Sequence, residues 1–271
     1  MKTVNFEIIT IGNELLIGKI LNTNMQWIAK AITDLGGSVV RVTTVRDDVD
    51  EIVSAVQEAF DRYTDFVITC GGLGPTFDDK TVEAISKAVK KPLTLNRTAL
   101  EFMKKGHMLR HGGEKGRYEL TPSKLKMASL PQGATPLFNP YGSASGVYLK
   151  HHKISIVVLP GVPHEMQGIF KEKVIPIIKN HVGDVFRREG SFISKDIPES
   201  RVAPLIEEVM NKNPLVYIKS HPKHTPELML ELHFSTVSEK KEKAEEDVLK
   251  AMKDLRRLIV AAGGRVEKLR N

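Results

Sequence analysis

The chain has 271 residues, 41% hydrophobic and 27% charged, a length and balance that suit one or two globular domains and exclude a disordered, collagen-like or disulfide-stapled protein. A single cysteine, Cys70, rules out an intrachain disulfide and points to a reducing compartment. The formal charge of +7 is spread out, with 22 basic and 18 acidic side chains in residues 1–175 and 18 and 15 in residues 176–271. Neither part is a polybasic arm, so no nucleic-acid partner is expected. The N-terminus lacks the pattern of a secretory leader, and no run approaches the ~18 apolar residues needed to cross a bilayer. A soluble, cytoplasmic protein with no membrane partner is expected.

In chain order, the pattern reads as strand (Val4–Ile11), helix (Asn24–Leu35), strand (Ser38–Val45) and helix (Asp50–Tyr63). A third strand, Asp65–Thr69, runs into Cys70-Gly71-Gly72, and helices follow over Asp79–Val89 and 96–110. Residues His111–Thr135 are polar and read as loop. Thr135–Phe138, Gly146–Lys150 and Lys153–Leu159 read as strands, and Val162–Lys179 as the closing helix. Strand–helix alternation with short connections predicts a mostly parallel sheet covered on both faces, a three-layer α/β/α domain over residues 1–180. Beyond Gly183 the pattern changes to strand (Phe186–Lys195), helix (Pro198–Asn211), strand (Leu215–Lys219), strand (Glu227–Phe234) and a charged helix (Ser238–Arg257). That order predicts a small α+β domain over residues 184–271.

Ligands of parallel sheets bind at the carboxyl ends of the strands. Gly12, Gly71–Gly74 and Pro160-Gly161 all follow strands there. The string Gly71-Gly72-Leu73-Gly74-Pro75-Thr76-Phe77-Asp78-Asp79-Lys80-Thr81 lets backbone approach a ligand closely and points N–H groups at an anion. Thr76 offers a hydroxyl, and Asp78 and Asp79 offer carboxylate oxygens to a hard cation. The plainer reading is a tight turn with an aspartate helix cap. After the first strand come Ile11–Gly18, with Glu14, and then Asn22-Thr23-Asn24; after the second come Asp47 and Asp48. Three successive strands thus deliver Glu14, Asp47 and Asp79 to one edge. Between Phe102 and Lys126 lies a local basic excess (Lys104, Lys105, Arg110, Lys115, Arg117, Lys124 and Lys126 against Glu114 and Glu119). It is either a solvated helix face or a phosphate-attracting rim. His107 and His111 are spaced i,i+4 but lack the glutamate of a metalloprotease helix. His221 and His224 read as exposed loop residues, and Cys70 as a small packed side chain.

Together these strings, with Lys126-Met127-Ala128, Asn139–Gly146 and Leu159-Pro160-Gly161-Val162-Pro163-His164-Glu165-Met166, resemble the molybdopterin-binding domain of molybdenum-cofactor biosynthesis. More closely they resemble the N-terminal part of the CinA family. The resemblance implies a dimeric α/β/α domain and, as in some relatives, a metal-dependent pyrophosphatase acting on ADP-ribose. By position it places Asp47 and Asp79 in catalysis and Glu14, Asp47 and Asp79 around a divalent cation, Mg²⁺, Mn²⁺ or Co²⁺. For the substrate it implies contacts from Gly12, Glu14, Asn24, Gly71, Gly72, Gly74, Thr76, Lys126, Asn139, Gly142, Ser143, Gly146, Pro160, Gly161 and Glu165.

Three departures stand out. Asn13 and Asn22 replace aspartates found in many members, and Ser143-Ala144-Ser145-Gly146 replaces a Thr-Ala-Pro-Gly string. The loss of two carboxylates favours the alternative, a pterin- or nucleotide-binding protein without turnover. Residues 186–260 resemble the family's KH-like domain, but Ile197-Pro198-Glu199-Ser200 stands where true KH domains carry a Gly-x-x-Gly clamp. The sequence stops at Asn271 without the deamidase domain of longer members, so nicotinamide mononucleotide deamidation is not expected.

Overall fold

A computed structural model of the chain describes residues 3–110, 119–223 and 227–268. His111, Glu114, Lys115, Arg117, Tyr118 and His224 lie outside the described residues. The chain divides into two compact units, Met1–Val182 and Gly183–Asn271.

In the first unit, β1 (Asn5–Ile11) leads through a short turn of helix, α1 (Asn13–Leu16), to α2 (Thr23–Asp34) and β2 (Ser38–Val45). Then come α3 (Val49–Asp61), β3 (Phe66–Cys70), α4 (Thr81–Ala88), β4 (Leu93–Leu95) and α5 (Arg97–Arg110). The unit closes with α6 (Pro122–Ala128), β5 (Ser129–Pro131), β6 (Thr135–Leu137), β7 (Gly146–His151), β8 (Ile154–Leu159), α7 (Pro163–Ile169), a π-helical turn at Phe170–Val174, and α8 (Ile175–Val182). Six strands form one sheet in the order β2-β1-β3-β8-β7-β6. β2, β1, β3 and β8 are parallel, whereas β7 runs antiparallel to β8 and β6 antiparallel to β7.

Alternation along the central strands builds two cores, one on each face. Phe6, Ile8, Phe66, Ile68, Val157 and Leu159 pack under α2, α7 and α8. Ile9, Ile11, Val67, Ile156 and Val158 pack under α3 and α4 with Ile52, Val56 and Ile85. This is the three-layer α/β/α arrangement, and burial on both faces explains the near-continuous apolar runs of these strands.

The structure corrects the reading of His111–Thr135 as loop, because part of that polar stretch is α6 and, directly after it, β5. Thr121 caps α6 by accepting the Lys124 N–H at 3.3 Å, and Pro122 occupies the first turn, where a missing N–H costs nothing. β5 pairs with β4 in a separate two-stranded sheet. Asp48 caps α3 by accepting from Asp50 and Glu51, and Asn22 caps α2 by accepting from Met25 at 3.2 Å.

The second unit runs β9 (Phe186–Lys195), α9 (Glu199–Lys212), β10 (Tyr217–Pro222), β11 (Met229–Ser238), α10 (Lys241–Ala261) and β12 (Arg265–Lys268). Its four strands form an antiparallel sheet in the order β10-β11-β9-β12. Phe192, Leu232 and Phe234 pack against Val202, Ile206, Val248 and Leu255 of the two helices. The sequence pattern alone does not announce β12, which is short, polar and made a strand by pairing with β9.

One charged pair inside the first unit holds β1 to the end of α3. Glu7 is 1% exposed and receives Arg62 through both oxygens, Nε at 2.9 Å and Nη2 at 2.7 Å. The bidentate geometry offsets the cost of burying the carboxylate. Removing one partner of a buried pair costs about 3–5 kcal/mol, and the partial exposure of Arg62 sets the expectation for Arg62→Ala at the lower end. Urea unfolding monitored by circular dichroism measures it. A loss under about 1 kcal/mol, the range of a surface pair, would show that water reaches Glu7.

Candidate functional site

Four parallel strands end at one edge of the sheet, and the loops that follow them meet there. β1 leads into Gly12–Glu14, β2 into Asp47, β3 into Gly71–Lys80, and β8 into Pro160–Val162. The antiparallel strand β7 starts at this same edge, so the loop between β6 and β7, with Asn139, Gly142, Ser143 and Ser145, joins the group.

Three of these loops use a glycine in the same way. A Cβ on Gly12 would lie 2.6 Å from Glu14 Oε1, one on Gly74 would lie 2.5 Å from Asp79 Oδ2, and one on Gly142 would lie 1.8 Å from Glu165 Oε2. Each missing side chain lets a carboxylate fold back over the backbone. Gly71 and Gly72 have positive φ, and a Cβ on Gly71 would sit 2.2 Å from the Ile11 carbonyl, so this turn admits glycine alone.

The glycine loop is closed by its own polar groups. Thr81 donates its hydroxyl to the Gly71 carbonyl at 2.8 Å and its N–H to Gly72 at 3.2 Å, which starts α4 at Thr81. Asp79 does not cap that helix. Its Oδ2 accepts the Thr76 N–H at 2.9 Å and lies 2.5 Å from the Thr76 hydroxyl, which also contacts Asp78 Oδ1. Lys126 donates to the Thr76 carbonyl at 2.5 Å. Hydrogen bonding to Thr76 holds the Asp78 carboxyl below its ordinary value.

Asn139 organises the opposite wall. It is buried, and its Oδ1 accepts the N–H groups of Tyr141 and Gly142 at 3.0 and 2.9 Å. Its Nδ2 donates to the Ala144 carbonyl at 2.9 Å and to Glu165 Oε2 at 2.7 Å. Asn24 ties α2 to the β8 loop, donating to the Gly161 carbonyl at 2.7 Å. Cys70 packs beneath, with burial pushing its thiol up to about 12, which suits a packed side chain and not a nucleophile.

Between these walls lies a cavity of about 560 Å³. The anticipated residues Gly72, Gly74, Asp79, Ser143, Pro160, Gly161 and Glu165 line it, together with Leu73, Pro75, Met103, His107, Thr121, Ser123, Lys124, Met127, Ala144 and Val162. Gly161 also borders a smaller cavity of about 150 Å³ lined by Glu14 and Asn24, and Lys126 a third, of about 80 Å³, beside Gly74 and Asp79. Gly12, Asp47, Gly71, Thr76, Asn139, Gly142 and Gly146 line none of these three cavities; Thr76 is exposed, Asp47 half-buried and the others buried within the loops and strand ends. Met127 belongs to the string Lys126-Met127-Ala128, whereas Met103, Thr121 and Ser123 are not anticipated from the sequence. Their only local signal is the capped helix α6 and the apolar face of α5.

The acids do not form a closed cage. Among the described residues, no group of three or more His, Cys, Asp and Glu side chains is arranged as ligands of one ion. The acids nevertheless sense one another. Burial pushes the Asp47 carboxyl above its ordinary value, and the charges of Glu14, Asp78 and Asp79 push the same way against the N–H of Asn13, which donates to Asp47 at 2.8 Å.

A cleft at strand ends, with apolar walls and a few converging polar groups, defines a small-molecule-binding α/β domain. A family model described as "Probable molybdopterin binding domain" matches residues 7–180, and the chain belongs to that family. Protein PAE0875 of Pyrobaculum aerophilum is 42% identical over 256 residues, 93% of each chain. A protein of Sulfurisphaera tokodaii is 38% identical over 262 residues, 96% of this chain and 97% of its own. The crystal structure of CinA from Thermoplasma acidophilum is 40% identical with a TM-score of 0.58, and the match covers 64% of this chain and 98% of that one. No described helix is long and apolar enough to cross a membrane.

Asp47 gives a pH-dependent test of this electrostatic setting. A carboxyl whose folded value is raised favours the protonated form, so its stabilising contribution is full below the ordinary value of 3.8 and is lost as pH rises through the folded value. Asp47→Asn keeps an acceptor for Asn13 and removes the charge. The variant should therefore melt higher than the native protein at pH 7, with the difference closing towards pH 3. Differential scanning calorimetry across that range checks this, and equal melting at pH 7 would place Asp47 in a fully solvated setting.

Proposed function

We propose that this chain binds a phosphate-bearing pterin or nucleotide in the 560 Å³ cavity as a protein of molybdenum-cofactor metabolism. The observation that carries this reading is the cavity's division of labour. The glycine loop and Lys124 offer N–H groups and positive charge to a phosphate, while Leu73, Met103, Met127 and Val162 offer apolar contact to a flat ring. Its volume falls within the ~300–1,000 Å³ of ordinary ligand pockets. Family membership and the likeness to CinA support the same reading. Titration calorimetry with a pterin phosphate, guanosine monophosphate and adenosine monophosphate tests it. Binding in the micromolar range by at least one supports it, and no heat with any contradicts it.

A second reading, cleavage of a nucleotide diphosphate such as ADP-ribose, is favoured by the mutual influence of Glu14, Asp47 and Asp79. Concentrated negative charge opposes a bare phosphate, and a cation riding on the ligand relieves it. Asp47 and Asp79 are the residues that would hold such an ion, because Mg²⁺ commonly takes one or two carboxylates plus phosphate oxygens. Bound there, it would neutralise phosphate charge and activate a water.

Asp79→Asn separates the two readings, since the amide still accepts from Thr76 while the charge is gone. If the protein only binds, affinity for the phosphate ligand holds or rises. If it cleaves, AMP release from ADP-ribose with Mg²⁺, Mn²⁺ or Co²⁺ falls at least tenfold, about 1.4 kcal/mol in the barrier. No AMP from the native protein with any of these metals would remove the hydrolase reading.

A further inference from the structure

Glu165 is the one acid of the site held from outside the clustered acids, and its surroundings fix what it can recognise. It stands in the first turn of α7 and lines the large cavity beside Ala144, Pro160 and Val162. Its Oε2 accepts the Asn139 Nδ2 at 2.7 Å. The Asn139 amide cannot turn over, because its oxygen already takes two backbone N–H groups and its nitrogen also serves the Ala144 carbonyl. Gly142 completes the cradle, leaving no room for a side chain against the carboxylate. One bond uses only part of a carboxylate's capacity for about four, so a positioned, acceptor-only group meets whatever enters the cavity here.

We infer that Glu165, positioned by Asn139 and Gly142, selects the ligand's ring by pairing with two adjacent N–H donors, the edge that a 2-amino-4-oxo pyrimidine ring presents in guanine and in pterins. This rests on the reading of the cleft as a pterin or nucleotide site, and it names the part of the ligand that the site discriminates. Adenine presents one donor beside one acceptor on the corresponding edge, and its ring nitrogen would face a carboxylate oxygen without a proton between them. A mismatch of this kind at a charged group is worth about tenfold to a hundredfold in affinity. The apolar neighbours Ala144, Pro160 and Val162 suit the flat ring.

The test uses the full chain and two nucleotides, guanosine monophosphate and adenosine monophosphate, which differ only in the base. Titration calorimetry should show the guanine nucleotide binding at least tenfold tighter to the native protein. Glu165→Gln replaces one acceptor oxygen by an N–H₂ donor and so offers a donor–acceptor pair that matches adenine. The preference should therefore reverse, with guanine binding weakened tenfold or more and adenine binding strengthened. A merely structural role for Glu165 cannot give that reversal. Equal affinities in the native protein, or equal losses for both nucleotides in Glu165→Gln, would assign the carboxylate to their common ribose hydroxyls and overturn the inference while leaving the cleft as a nucleotide site. Failure of the native protein to bind guanosine monophosphate, adenosine monophosphate or pterin-6-carboxylate would overturn both.

Discussion

Strand direction is the constraint on which the site depends. Because β1, β2, β3 and β8 run the same way, their following loops open at one edge of the sheet. The reversal at β7 makes its preceding loop face that edge too. Residues as far apart in the chain as Glu14 and Glu165 are brought to one edge by a backbone ladder, without any bond between them. The two apolar cores that clamp the sheet from either face make the edge rigid, and rigid elements hold recognition groups to a narrower range of positions than loops alone.

Upon that frame, the loops are set by small local devices. Glycine gives room for a carboxylate at Gly12, Gly74 and Gly142, and side-chain amides and hydroxyls satisfy turn backbone at Thr76, Thr81 and Asn139. Each is worth on the order of 1 kcal/mol, small beside the apolar burial beneath, yet together they decide which oxygens face the cavity. The result is a cleft with the glycine loop and Lys124 at one wall and apolar contact from Leu73, Met103, Met127 and Val162. That division suits a ligand with a charged end and a flat end better than a purely ionic or purely apolar one.

Much of this was legible in the amino-acid pattern. The apolar strands and the glycines after β1, β3 and β8 pointed to a ligand site at the strand ends, and from the glycine string Gly72 to Pro75 and Asp79 line the cleft. The change of pattern beyond Gly183 carried the second, antiparallel unit. What stayed hidden is long-range by nature. α6 escaped notice because it is a single short helix of seven residues that carries Ser123, Lys124 and Lys126, too brief for a helical repeat to show, and it is held by packing against α5 and β5. β12 is a strand only through its pairing with β9. Asp79 reads locally as a helix cap, and only the closed loop shows it turned back to Thr76. Asn139 looks like a loop residue among others, because its four bonds depend on the path from Tyr141 to Glu165.

In the proposed function, one ligand occupies the strand-end cleft of the first unit. Hydrogen–deuterium exchange of the full chain, with and without saturating guanosine monophosphate, tests it most directly. Protection gathered in residues 71–76, 139–146 and 160–165, with the second unit unchanged, is the predicted result. Protection centred on β9 to β12, or uniform protection with no focus at the strand ends, would contradict it.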